Sequence, residues 1–440
     1  MAAADAIGDR SDLHLIRNPF ELEALRRRNL ERAMTGATIK RDLRTGRSVW
    51  ADSPELKVPL RPFKEAVSVD VAVVGAGISG ALMAYELSGD HSVVVLDRRE
   101  PLMGSTIAST AMLQWEIDLP LTALAERIGE TDARRAYLRS YAAVQTLKAL
   151  VDREGIRCGF SAKDSLYLAG DAYGHRALEA EFRARSDIGL DGEYLNAAAL
   201  RDRFGVDRTG AILSPGSASA DPARLAAGLL RRAAARGARV HSPVEVQQAV
   251  SDPDGVTLIT DAGHAVRAKT VVFCCGYEFP KGVPTPGAEV TSTWALASQP
   301  RQACPAWLRN MVVWEASDPY LYFRMGGDGR IVVGGEDEHD PLAHEDKAKL
   351  KRKQAAIIDK LQTLLPGLEF EADYAWAAAF GESSDSLPSI APVPDMQNAW
   401  AVMGFGGNGI TYSLIASQVV SAAVRGRPDP DADLYRPAAA

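Results

Sequence analysis

Residues 70–87 read DVAVVGAGISGALMAYEL, and they decide the fold. Val71–Val74 is a short apolar β run, and Gly75-Ala76-Gly77-Ile78-Ser79-Gly80 opens a helical stretch. In such a strand–turn–helix Gly75 permits the tight turn, Gly77 lets the backbone approach a pyrophosphate, and Gly80 allows close helix–strand packing. The phosphates then meet free N–H groups at the positive end of the helix. A second β run, Ser92–Leu96, ends in Asp97, 22 residues after Gly75. An acid there accepts hydrogen bonds from ribose hydroxyls and disfavours a 2′-phosphate. The stretch predicts a dinucleotide site on an α/β domain.

Composition sets the bounds around this motif. A chain of 440 residues exceeds the size at which one core keeps growing, so two domains are expected. The net charge of −7 argues against a partner whose affinity rests on phosphate neutralisation, such as a nucleic acid. Between Arg26 and Arg47 there are eight basic and two acidic residues, read as a solvated face and a basic loop. Four cysteines make no disulfide framework, and the seven histidines show no metal spacing. The N-terminus carries Asp5, Asp9 and Asp12 without an apolar core, which is not the pattern of a secretory signal. The uncharged run 396–424 is long enough to span a bilayer, but Gly404, Gly406, Gly407 and Gly409 break it into strand, loop and helix. A cytoplasmic protein that touches no membrane is expected.

Further elements follow from local signals. Asn18-Pro19 starts a helix to about Ala33, and prolines then punctuate a polar loop, so residues 1–66 read as an extension outside the fold. All dinucleotide motifs lie downstream of it, and removal of residues 1–60 is expected to leave cofactor binding intact. Helices are predicted over 132–154, 222–236 and 345–365, a buried strand over 271–275, and a hairpin over 320–333 that turns at Gly326–Gly329.

The dinucleotide motif serves FAD and NAD alike. The next segment separates them: Gly104-Ser105-Thr106-Ile107-Ala108-Ser109-Thr110-Ala111-Met112-Leu113-Gln114 is a run of small and hydroxyl residues after the second strand. Such a loop packs flat against a large ring system while its hydroxyls and N–H groups bond phosphate and ring edges. With these residues the chain resembles the D-amino-acid-oxidase-like FAD-dependent oxidoreductases, the group of glycine oxidase, sarcosine oxidase and γ-glutamylputrescine oxidase. The resemblance extends from about Val69 to Arg425. It continues through Ala220-Asp221-Pro222, Thr270–Gly276, Arg330-Ile331-Val332-Val333-Gly334-Gly335, Asp385-Ser386-Leu387-Pro388 and Gly404–Ile410.

That resemblance implies a discontinuous Rossmann-like FAD-binding domain (67–118, 206–290 and 376–430) with an inserted α+β substrate domain (119–205 and 291–375). The FAD contacts it implies fall to Gly75, Gly77, Ile78, Ser79, Gly80, Asp97 and Arg98, and then to Gly104, Ser105, Thr106, Ser109, Thr110, Ala111, Met112 and Leu113. Val244, Gly276, Gly381, Gly406, Gly407, Asn408, Gly409 and Ile410 complete the set. The reaction it implies removes a hydride equivalent from a carbon beside nitrogen in a small amine or amino acid, with O2 or another acceptor reoxidising the flavin.

Three departures narrow that expectation. Glycine-oxidase-like sequences place a carboxylate-binding Arg after a Trp-Ala-Gly pattern, whereas this chain reads Trp376-Ala377-Ala378-Ala379-Phe380, with Phe380 at the Arg position. Relatives with covalent flavin carry Cys or His near Thr106 or Glu382, and this chain has neither, so non-covalent FAD is expected. The lysine that sarcosine-oxidase-like enzymes carry before the Gly-Gly is replaced by Val332. Substrate-side candidates are Gln114, Glu116, Tyr322, Arg324, Phe380 and Glu382, with Glu116 or Glu382 pairing a distal amine. An alternative is a D-amino-acid or glycine-type oxidase in which Arg324 takes the carboxylate. A third reading is a flavin-bearing subunit that docks an electron-transfer partner, with residues 1–66 as an arm between subunits.

Overall fold

Val71, Ala72 and Val73 are fully buried because the strand they belong to has neighbours on both edges and helices on its face. A computed structural model describes residues 37–283, 285 and 287–436. The helix expected from Asn18 lies outside the described residues. The nucleotide-side sheet runs Ser389–Pro392, Ala399–Met403, Ala265–Phe273, Val67–Val74, Val93–Leu96, Arg239–His241 from edge to edge. Pairing is parallel from Ala399–Met403 through to Arg239–His241, so each connection is a crossover. Helices Ile78–Leu87, Pro222–Ala235 and Gly409–Val424 pack together, their small residues (Gly80, Ala81, Ala84) permitting the close approach.

The second sheet is mostly antiparallel. It runs Arg44–Arg47, Ala372–Ser383, Ala288–Ser298, Ile331–Glu338, Leu321–Met325, Met311–Ala316, Ser161–Ala169, Gly210–Ser219, Met112–Leu113. Helix Lys347–Leu364 lays Ile357, Leu361 and Leu364 on it, a spacing that keeps the three on one face. The hairpin, the three downstream helices and the strand–loop–helix over 396–424 form where the sequence predicts them. Among the described residues no helix is long and apolar enough to cross a membrane.

Two expectations change. Strands Met112–Leu113, Gly210–Ser219 and Ala372–Ser383 belong to the second sheet, so that sheet draws on segments assigned from sequence to the FAD-binding domain. Residues 38–52 do not lie outside the fold. Arg44–Arg47 is the edge strand against Ala375–Ala378, Thr38 bridges Pro280, and Trp50 is buried with its indole N–H on the Ser109 carbonyl at 2.6 Å. The local sequence is polar, and Ile39 stays exposed, but Leu43, Val49 and Trp50 find the core.

Candidate active site

The turn after Val74 has the geometry that its glycines allow. Gly75 has φ +112°, and a Cβ there would stand 2.3 Å from the Cys274 carbonyl oxygen. A Cβ on Gly80 would stand 1.8 Å from the Gly75 oxygen, and one on Gly77 2.9 Å from Thr106 Oγ1. Gly80 therefore serves packing, and it does not line the cavity that Gly75, Gly77, Ile78 and Ser79 help to form. Gly77 supplies no side-chain cap at this helix start, where the Ile78 N–H donates to Thr106 Oγ1 at 2.9 Å, and the tight backbone cradle fits a dinucleotide pyrophosphate. Asp97 leaves the adjoining strand, and its carboxylate accepts from the Ala76 N–H at 2.6 Å and the Arg99 N–H at 2.8 Å. Burial pushes its pKa up, against those two amides. Asp97→Ala is expected to weaken FAD binding by roughly 1.5–3 kcal/mol through loss of a charge-assisted bond. An unchanged FAD dissociation constant would show that Asp97 does not bear on the cofactor.

One end of the cavity is closed by charges that local motifs do not reveal. Glu278, 5% exposed, pairs with Arg98 and with Arg99 (2.6 Å), and it accepts the Arg41 N–H at 3.0 Å. Thr38, Leu43, Arg98, Arg99, Val244, Glu245, Gly276 and Glu278 line this region. The arm thus contributes directly to the cavity wall.

The loop 104–114 turns its carbonyls outward onto fixed donors. The Trp376 indole bonds the Ala108 carbonyl at 2.8 Å, and Arg324 donates to the Thr110 carbonyl at 2.8 and 3.0 Å. Gly104, Ser105, Thr106, Ser109, Thr110 and Met112 line the cavity, while Ala111 and Leu113 are buried behind it. Opposite stands Gly406–Ile410, held by Asn408 on the Glu116 carbonyl (2.6 Å) and Gly407 N–H on Asp118 Oδ2 (2.7 Å).

Near Asp118 the wall becomes aromatic. Of the substrate-side candidates Gln114, Tyr322 and Phe380 line it, together with Asp118, Tyr277, Thr293, Trp314 and Tyr320. A Cβ on Gly334 would stand 2.5 Å from the Tyr322 hydroxyl, and one on Gly381 2.6 Å from the Tyr277 ring, so both glycines make room for tyrosines. Gly381 acts through Tyr277 and is itself not on the surface of the cavity. Tyr320 donates its hydroxyl to Asp337 Oδ2 at 2.8 Å. Burial raises the pKa of Asp118, that of Asp337 to about 6 and that of Glu382 to about 7, with Asp118 adding to the rise of Asp337 and both adding to that of Glu382.

Three candidates from the sequence lie off the cavity. Glu116 is buried beside Arg185 (3.9 Å) and Ser217 (3.2 Å). Glu382 stands behind the wall, coupled to Asp337 and Asp118. Arg324 is 1% exposed, and its guanidinium lies 5.2 Å from the Trp50 ring and bonds the Thr110 and Ala220 carbonyls. Alternation along the hairpin strand puts Arg324 with Tyr322 on the face opposite Leu321, Phe323 and Met325 but says nothing of these carbonyls. Of the charged residues that do line the cavity, Asp97, Arg98, Arg99, Glu245 and Glu278 gather around the first turn, and Asp118 stands alone among the aromatics.

Residues 70–423 match the FAD dependent oxidoreductase family, DAO, over most of the folded chain. The chain belongs to this family. It is 23% identical to the γ-glutamylputrescine oxidoreductase of Escherichia coli over 391 residues, covering 86% of this chain and 89% of that protein. It is 22% identical to a putative Rieske 2Fe-2S iron-sulfur protein of Bacillus subtilis, covering 88% and 74% respectively. The crystal structure of glycine oxidase from Geobacillus kaustophilus shares the fold, with TM-score 0.68 and 22% identity over 83% of this chain and 96% of the other. The DAO chain is thus an FAD-dependent oxidoreductase of the amine and amino-acid type.

Proposed function

We infer that this DAO-family protein oxidises the C–N bond of an amine, or of a compound whose carboxylate lies far from the oxidised carbon. The carrying observation is Asp118, the one charged group in the aromatic part of the cavity, where no arginine or lysine of the described residues stands. An ammonium finds there a carboxylate and the faces of Tyr320, Tyr322 and Trp314, whereas an α-carboxylate finds no cation. FAD, when bound, supplies the acceptor for the hydride equivalent. The protein's own part is to hold the cofactor along Gly75–Ser79, Asp97, the 104–112 loop and Gly406–Ile410, and to orient and desolvate the amine. Anaerobic bleaching of the flavin by a panel of alkylamines, N-methyl amino acids and D-amino acids tests the reading, and reduction by D-amino acids alone would reject it.

The cofactor is read as non-covalent. No histidine of the described residues lines the cavity, and its two cysteines, Cys274 and Cys275, stand beside the Val74–Gly75 turn with thiols that burial keeps protonated. Acid precipitation of the yellow protein is expected to release FAD into the supernatant, and flavin retained in the pellet contradicts this. Kinship with a putative iron-sulfur protein favours a second reading for the acceptor, in which electrons leave to a protein partner. Stoichiometric peroxide from the isolated chain would decide for O2.

A further inference from the structure

An ammonium nitrogen has no lone pair with which to stabilise the carbon that loses hydride, so a cationic substrate must shed a proton after it binds. Tyr320 is placed for this. Tyr320 lines the cavity and its hydroxyl donates to Asp337 Oδ2 at 2.8 Å, which leaves the lone pairs of the phenol oxygen to accept from a substrate N–H. Asp337 Oδ1 is buried without a hydrogen bond of its own, although the Thr293 hydroxyl stands near enough to steady the carboxylate. A carboxylate so placed is short of stabilisation and ready to be protonated.

We propose, resting on the amine reading above, that Tyr320 and Asp337 act as a dyad that takes the ammonium proton. The N–H proton passes to Tyr320 Oη as the phenol proton passes to Asp337 Oδ2. The products are a neutral amine, a neutral phenol and a neutral carboxylic acid, with no other reactant. The groups that face Asp337 are Tyr277, Tyr320, Tyr322, Thr293, Asp118, Lys353 and Glu382. Burial lifts its pKa to about 6 and Asp118 raises it, while Lys353 and the hydroxyls oppose the rise. The dyad is therefore ionised and competent near neutral pH, and it is lost as pH falls through that value. Glu382, half-buried, lies within electrostatic reach of Asp337 and of the exposed His339 and Glu289.

The test uses the FAD-loaded protein and tert-butylamine, which lacks an α-hydrogen and cannot be oxidised, with binding read from the flavin difference spectrum. In the unmodified protein the apparent Kd is expected to be flat between about pH 7 and 9 and to weaken tenfold per unit below about pH 6. Absence of this acid limb overturns the proposal without any variant. Asp337→Asn or Tyr320→Phe must bind the free base, roughly one part in 250 at pH 8 for an amine of pKa about 10.4. Each is expected to lose the flat region, with Kd tightening tenfold per unit from pH 7 up to pH 10. A flat Kd in either variant that retains its flavin overturns the dyad. If Asp337→Asn loses flavin, Tyr320→Phe decides. No spectral change with tert-butylamine, n-butylamine or benzylamine at any pH rejects the amine reading itself, a different failure.

Discussion

A chain cut to begin at residue 61 is expected to purify without flavin, or to be insoluble. The missing segment carries Leu43, Val49 and Trp50, all buried in the main core. Loss of a buried Trp costs about 3–5 kcal/mol and of a buried Leu about 2–5, against a total stability of about 5–15 kcal/mol. The segment also satisfies groups on the cavity wall. Ser48 bonds the Ile107 carbonyl, the Trp50 indole bonds that of Ser109, and the Leu43 carbonyl accepts the Ala379 N–H at 3.0 Å. Removing them exposes the edge of Ala372–Ser383 and frees the 104–114 loop. Trp50→Ala is the milder version. It leaves the chain intact, and its melting temperature and flavin content are both expected to fall. A truncated chain that is yellow at full occupancy would return residues 37–60 to the role of an accessory arm.

How much of this was legible in the sequence depends on how far apart the partners lie. Gly75, Gly77, Gly80 and Asp97 act within one strand–turn–helix and the next strand, and spacing alone identifies them. Asp118 and Gly407 are 289 residues apart, and Glu278 meets Arg98 across 180, so no local pattern announces either pair. The arm misleads for a related reason. Its charges dominate the composition of residues 26–47, yet the fold uses Leu43 and the backbone of Arg44–Arg47. Arg324 shows the limit of alternation: its register opposite Val312 and Val332 follows from the hairpin, but its role as donor to Thr110 and Ala220 requires the whole sheet. Tyr320 and Asp337 flank the hairpin, and without the fold they are one tyrosine and one aspartate among many.

Substrate class is where the largest kinetic effect is expected: an alkylamine should reduce the flavin at least about 100-fold faster than the corresponding D-amino acid. Phe380 stands in the cavity wall with its ring 6.5 Å from that of Tyr277, and no arginine or lysine of the described residues stands beside it there. A carboxylate brought to that wall is unpaired, and Asp118 adds a like charge. An unpaired buried charge costs several kcal/mol after relaxation, and each 1.36 kcal/mol is a factor of ten in rate. Arg324 offers no rescue, since its guanidinium already serves two carbonyls and the Trp50 face. Arg324→Met is therefore expected to lower stability, and it should leave the ratio between the two substrate types unchanged. Phe380→Arg should move that ratio toward the amino acid, and Asp118→Asn should move it the same way by removing the repulsion. The measurement is anaerobic stopped-flow reduction with matched pairs such as ethylamine and D-alanine, in which the two substrates differ only by the carboxylate. Faster reduction by D-alanine in the unmodified protein, abolished by Arg324→Met, would transfer the site to an amino-acid oxidase and leave Asp118 without its assigned ligand.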